Sequence, residues 1–157
     1  MAEQQLHMMR SNLDDLPDLV VPEGYALRTY QPGDEAAWCA IMDTGIGSGW
    51  TVEECRAQLT GQDLFLPEGC FFITWNDEPV ASACVWPTAL YGPTSAQVHM
   101  VCAKPSHRGK GLGYLVTLAL LHYMRDHEYA STYLGTDDFR IPAINAYLKL
   151  GFEPSYL

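Results

Sequence analysis

The sequence predicts a single α/β domain built on a mixed sheet, and three observations carry that expectation. Segments with strand-like and helix-like periodicity follow one another in the order β, α, α, β, β, β, α, β, α. The apolar run from Gln97 to Ala103 passes through a basic, glycine-spaced turn into a long helical pattern, and a short strand after it completes a right-handed parallel βαβ unit. The chain has 157 residues, 48% of them hydrophobic and 18% charged, which suits one core; no repeat or low-complexity tract offers a place to divide it.

Residues 1–22 mix Met, Leu and Asp without a clean period. They are expected to form an irregular or partly helical arm laid on a body of residues 23–157. Tyr25 to Tyr30 alternates as a strand does, and Gln31-Pro32-Gly33-Asp34 is turn chemistry that offers Asp34 as an N-cap for a helix from Glu35 to about Asp43. Three glycines between Thr44 and Trp50 end that helix. Thr51 then caps a second helix to about Thr60, with Glu54 at the reciprocal position of a capping box.

Cys70 to Trp75 and Pro79 to Trp86, joined by a short polar turn, read as a hairpin. Pro87 to Ser95 is a loop. In the strand Gln97 to Ala103, strict alternation puts Gln97, His99 and Val101 on one face and Val98, Met100 and Cys102 on the other. Leu112, Leu115, Val116, Ala119, Leu120 and Tyr123 keep a helical period to about His127, Ser131 to Thr136 is a short strand, and the last helix spans roughly 141–150. Pro142 suits the first turn of that helix and Gly151 its C′ position.

Composition narrows the function. A formal net charge of −10 argues against nonspecific binding to nucleic acid or to an anionic membrane surface, and no run approaches the ~18 apolar residues of a membrane span. The N-terminus lacks a basic region followed by an apolar stretch, so a cytoplasmic protein is expected. Five dispersed cysteines without a Cys-x-x-Cys pair read as reduced core residues, and five scattered histidines give no metal site.

Against that acidic background, three of the nine Lys and Arg residues (Lys104, Arg108 and Lys110) fall within seven positions, interleaved with Gly109, Gly111 and Gly113 at a helix start. A helix N-terminus offers unpaired N–H donors and a partial positive charge, so the turn reads as an anion cradle. It is not a P-loop, because no Gly-Lys-Ser/Thr follows the spacer, and Val116 stands where a dinucleotide fingerprint needs its third glycine.

The pattern Arg108-x-x-Gly111-x-Gly113, with a strand before it, resembles the acyl-CoA pyrophosphate loop of the GNAT acetyltransferases. The stretch Ala143-Ile144-Asn145-Ala146-Tyr147-Leu148-Lys149-Leu150-Gly151-Phe152 is similar to that family's Ala-x-x-x-Tyr-x-x-x-Gly-Phe helix. The two motifs occur in the family's order, and the likeness runs from about Tyr25 to Phe152.

The resemblance implies the GNAT fold, in which two neighbouring parallel strands splay apart. It implies acetyl-CoA as donor and direct transfer to a primary amine of a small molecule or peptide. By the same resemblance the backbone of Val101, Cys102 and Ala103 would hold the pantetheine, and Arg108, Gly109, Lys110, Gly111, Leu112, Gly113 and Tyr114 the pyrophosphate. Tyr147 would protonate the leaving thiolate. His99 is a candidate base because an imidazole has a suitable ordinary pKa near 6.5, and Asp137 is a second candidate. Arg140 stands where the family often has an Asn that contacts the cofactor, so that contact is either lost or replaced by an ionic one to the cofactor phosphates. The alternative reading is a noncatalytic acyl-CoA-binding or sensing module on the same fold. The sequence reaches Leu157 soon after Phe152, so the C-terminal strands are expected to be short, with the sheet edge completed by the N-terminal arm or by a partner chain in a homodimer.

Overall fold

The structure is a computed structural model and describes residues 5–137 and 140–155. Residues 1–4 of the expected arm and Asp138, just past the sixth strand, lie outside them. The elements in chain order are β1 (Gln5–Arg10), β2 (Tyr25–Thr29), α1 (Glu35–Met42), α2 (Val52–Cys55), β3 (Cys70–Trp75), β4 (Glu78–Trp86), β5 (Ser95–Ala103), α3 (Leu112–Asp126), β6 (Ser131–Asp137), α4 (Ile141–Lys149) and β7 (Glu153–Pro154). The strands form one mixed sheet in the order β2-β3-β4-β5-β6-β1-β7, with β5 and β6 its parallel pair and the other ladders antiparallel.

Local chemistry explains several of these elements. Thr51 and Glu54 form the capping box: Glu54 N–H donates to Thr51 Oγ1 at 3.1 Å and Thr51 N–H donates to Glu54 Oε1 at 3.2 Å. Asn76 and Asp77 both have positive φ (50° and 65°), the geometry of a two-residue hairpin turn whose twist matches its strands. Gly151 (φ +92°) ends α4, with Phe152 N–H donating to the Tyr147 carbonyl and Gly151 N–H to the Leu148 carbonyl, both at 3.0 Å.

Four expectations need correction. The stretch read as an irregular or partly helical arm contains a true strand: β1 pairs with β6 from Gln5↔Asp137 to Arg10↔Thr132 and buries Met8 completely. It fills the sheet position beside β6 that the sequence left open, and the two-residue β7 follows it at the edge. Asp34 does not cap α1. Its carboxylate is taken by the Arg28 guanidinium at 2.7 and 2.9 Å and by Gln31 N–H, and this charged bidentate pair outcompetes a single amide. The second helix is α-helical only to Cys55 and then runs as a π-helical turn, Arg56–Thr60.

The fourth correction lies in β5. Met100 adopts φ +56°, and the ladder to β4 slips between Ser82↔Cys102 and Cys84↔His99. This bulge inserts one residue and reverses the alternation after it. Val101 therefore joins Val98 on the α3 side of the sheet, while Met100 joins Cys102 on the α1 side.

Two cores result. The larger gathers α3, α4 and one sheet face around Val85, Val116, Leu120 and Phe152; ten of the fifteen residues of α3 are buried, as expected of a helix apolar nearly all round. The smaller holds α1, α2 and the opposite face around Trp38, Ile41, Phe72 and Trp86. All five cysteines are free, buried and in this smaller core. Among the described residues no helix is long and apolar enough to cross a membrane.

Candidate active site

The site begins where the parallel ladder stops. β5 and β6 pair only at Ser95↔Ser131, Ala96↔Thr132 and Gln97↔Tyr133. From Val98 to Ala103, β5 keeps β4 on one side and, among the described residues, has no strand partner on the β6 side. A row of peptide groups is thus left facing a wedge between two strands, and an amide-bearing ligand laid in the wedge could satisfy it. Val101, Cys102 and Ala103 lie on this free segment, and Lys104 N–H donates to the Val80 carbonyl at 2.8 Å, holding the segment's end against β4.

Beyond it the chain makes one 3-10 turn, Pro105–His107, and then the glycine turn. Gly109 (φ +81°) and Gly111 (φ +72°) adopt left-handed backbone that an L side chain strains to reach. A Cβ built on Gly109, Gly111 or Gly113 meets no atom within 4 Å, so the space before them is open. Gly111 heads α3 without any side-chain cap, so the first-turn N–H groups at Leu112, Gly113 and Tyr114 are presented to that space. Arg108 and Lys110 are exposed and, among the described residues, make no ion pair; Lys104 is held by Glu78 at 3.1 Å. The turn is itself anchored: Tyr25 Oη and His107 Nδ1 are 2.7 Å apart, and the Trp75 ring lies 4.7 Å from Tyr25 and 5.9 Å from His107. These features suit a pyrophosphate: open space, free donors, positive charge and a turn fixed from behind.

Tyr147 projects from α4 into the larger core, 6% exposed, with its ring edge-on to Phe152 at 5.9 Å. Burial pushes its phenol up to about 12, opposed by the charge of Arg140, and among the described residues its hydroxyl makes no hydrogen bond. It is a proton-holding group at neutral pH with a donor to give. Cys102 Sγ donates to the Ile41 carbonyl at 3.3 Å and lies 3.6 Å from Thr44 Oγ1, and burial pushes its thiol up. That is the reverse of an activated nucleophile. Arg140 is engaged by Asp137 at 3.3 Å and donates to the Gly45 carbonyl, tying the β6–α4 junction to the loop after α1. Asp137 is occupied by the same pair.

His99 stands on the other face of the wedge. Its ring stacks on Trp86 (4.9 Å, 30°), and burial lowers its pKa to about 4, so the imidazole is neutral at physiological pH. With Met100 it lines a pocket of about 480 Å³ whose other walls are Trp38, Trp50 and Trp86 with Leu59 beneath. Of these residues His99 was named from the sequence, whereas Trp38, Leu59, Trp86 and Met100 were missed; three of the chain's four tryptophans meet here. Among the described residues no group of three or more His, Cys, Asp and Glu side chains could hold a metal ion.

Comparison with known proteins agrees with this geometry. The Acetyltransferase (GNAT) family profile matches residues 35–152. The chain is 32% identical over 165 residues to the mycothiol acetyltransferase of Nocardia farcinica, covering 98% of this chain and 54% of that protein. It is 34% identical over 155 residues to the enzyme of that name from Thermomonospora curvata, covering 94% and 51%. The chain thus spans about half the length of these curated relatives. Among solved structures, a GCN5-related N-acetyltransferase from Sphaerobacter thermophilus superposes with a TM-score of 0.81 at 21% identity, over 98% of this chain and 50% of that one. A second from Kribbella flavida gives 0.67 at 22% identity, over 96% and 55%; both likenesses are of fold. A splayed parallel pair, a glycine turn heading the next helix, a buried tyrosine on the last helix and a profile match over most of the chain lead to one conclusion: the chain belongs to the Acetyltransferase (GNAT) family.

Proposed function

We propose that this chain is an N-acetyltransferase that moves the acetyl group of acetyl-CoA directly to a small-molecule primary amine. The observation that carries the reading is the unpaired stretch of β5 from Val98 to Ala103, which opens beside Gln97↔Tyr133 and runs straight into the glycine turn. The pantetheine amides would pair with that free backbone and the pyrophosphate would sit on the N–H groups of Leu112 to Tyr114, beside Arg108 and Lys110. The mycothiol acetyltransferase relatives support a small-molecule acceptor.

The chain's own groups divide the chemistry. The amine nitrogen attacks the thioester carbonyl, the C–N bond forms, and the C–S bond breaks with its electron pair on sulfur. Tyr147 holds its proton across the neutral range and donates it, or a hydrogen bond, to that sulfur. The attacking amine must shed a proton; His99 in the adjoining pocket is neutral and offers a lone pair, directly or through water, but burial that lowers its pKa to about 4 makes it a weaker base than an ordinary imidazole. No thiol intermediate is involved, because Cys102 is held protonated and bonded to Ile41.

Titration with acetyl-CoA should raise the melting temperature, and a broad amine panel should elicit amine-dependent CoA release. An unchanged melting temperature at millimolar acetyl-CoA would refute the donor assignment. Stabilisation without CoA release from any amine would refute the transferase.

A further inference from the structure

The pocket beside His99 has a chemistry that the protein's overall charge does not suggest. It is bounded by Trp38, Trp50 and Trp86, with Ile46, Leu59 and Met100 between the rings. The indoles are fixed. Trp38 and Trp50 meet edge to face at 4.9 Å and 82°, and Trp50 Nε1 already donates to the Ile46 carbonyl at 2.6 Å, so Trp50 offers a ligand only carbon surface. Its backbone N–H is held by Asp43 at 2.8 Å. The opposite wall comes from the π-helical turn, which places Ala57, Gln58 and Leu59 at the cavity and is braced by Thr60 donating to buried Glu35 at 3.1 Å.

Polar groups are few and neutral. Gln58 and Gln62 stand at the exposed rim, and His99 is the one titratable side chain among the lining residues. None of the lining residues is Asp or Glu, although the protein carries 19 of them. The site therefore has no carboxylate to pair a second ammonium group, while the three indoles with Ile46, Leu59 and Met100 offer their surface to an apolar body. The volume, about 480 Å³, falls within the roughly 300–1,000 Å³ of ligand pockets and leaves room for a phenylalkyl or indolyl body.

We infer that the acceptor is a monoamine with an apolar, ring-bearing body, which lies among Trp38, Trp50 and Trp86 while its single amine points past His99 toward the free edge of β5. Aliphatic polyamines and polyhydroxylated aminoglycosides bring no apolar ring to this lining and are expected to be the weaker acceptors. This inference rests on the acetyltransferase reading for turnover, but binding of the amine body does not.

The test uses two readouts on the whole chain. Intrinsic tryptophan fluorescence should report saturable binding of phenethylamine and tryptamine without acetyl-CoA. With acetyl-CoA present, kcat/KM for these arylalkylamines should exceed that for spermidine, kanamycin, glucosamine and an Ala-initiated peptide by at least tenfold. Trp50→Leu should raise the arylalkylamine KM about tenfold and leave the acetyl-CoA KM within twofold. Trp86→Phe, which keeps a ring against His99, should change the same constants less than Trp50→Leu does. Higher kcat/KM with spermidine, kanamycin, glucosamine or the peptide would overturn the inference while preserving the acetyltransferase. Fluorescence binding of arylalkylamines without turnover of any amine would preserve the apolar-body assignment and overturn the acetyltransferase.

Discussion

Replacing Tyr147 by Phe separates a chemical role from a packing role. The Tyr147 hydroxyl makes no hydrogen bond among the described residues, and the ring is fixed by its edge contact with Phe152 and by its burial at 6% exposure. Removing the oxygen strands no partner and keeps the apolar contacts, so stability should change by less than about 1 kcal/mol. The rate should behave otherwise. A hydrogen bond to a charged group contributes roughly 1.5–3 kcal/mol, so losing the donor to the departing thiolate should lower kcat about 10- to 150-fold. The acetyl-CoA KM should stay within a few-fold. The assay is CoA release followed with a thiol reagent at saturating amine, beside a thermal melt of the same preparation. The sign of the pKa change adds a second check: burial raises the phenol to about 12, so wild-type kcat should show no loss from Tyr147 ionisation as pH passes the ordinary tyrosine value near 10. A variant with unchanged kcat would make Tyr147 a core residue only.

Three other perturbations test neighbouring links. His99 has its pKa lowered to about 4 by burial, so the unfolded chain takes up a proton that the folded one refuses. Its contribution to stability is present above about pH 6.5 and is lost as pH falls toward 4, at most ~3.5 kcal/mol at ~1.4 kcal/mol per pH unit. Urea melts of wild type and His99→Gln across that window should show the extra acid sensitivity only in wild type; parallel curves would refute the burial argument. Gly111→Ala forces a Cβ into a φ of +72° and into the open space of the turn, so it should cost about 1–2 kcal/mol of stability and raise the acetyl-CoA KM about tenfold. An unchanged KM would move the pyrophosphate elsewhere. Tyr25→Phe deletes the 2.7 Å contact to His107 and should raise the acetyl-CoA KM several-fold with kcat nearly constant, whereas a pure kcat effect would contradict an anchoring role for the turn.

What the sequence revealed was local in origin. The Thr51–Glu54 box, the Asn76-Asp77 turn and the Gly151 cap are each settled within a few residues, and each stands where its residue types place it. The glycine turn and the Tyr147 helix were legible for the same reason. The misses were contests between distant parts of the chain. β1 has a weak alternation, and it is a strand because β6, more than a hundred residues on, offers an unpaired edge. Asp34 left its cap for Arg28. The pocket tryptophans come from α1, from the loop after it and from the end of β4, a convergence that only tertiary structure creates. Nor could alternation foresee Met100, since a positive φ at a non-glycine residue is set by its surroundings.

That bulge lies between the tryptophan pocket and the unpaired edge of β5. In a regular strand, His99 and Met100 would point to opposite faces of the sheet. The extra residue lets both line the tryptophan pocket, and it turns Val101 toward α3 on the stretch beyond Gln97 where β5 no longer pairs with β6. One segment of β5 thus faces the tryptophan pocket with the His99 and Met100 side chains and the wedge with its backbone. On the proposed function the amine would enter on the α1 face and meet the thioester in the plane of the sheet, where β5 and β6 no longer bond. Arg140 supports this arrangement from across the wedge, since its bond to the Gly45 carbonyl holds the loop after α1 against Cys102, where even a Cβ on Gly45 would come within 3.1 Å of Sγ. The proposed function therefore links acceptor access and donor placement through β5, so a change that straightens the bulge should disturb both the pocket lining and the free strand edge.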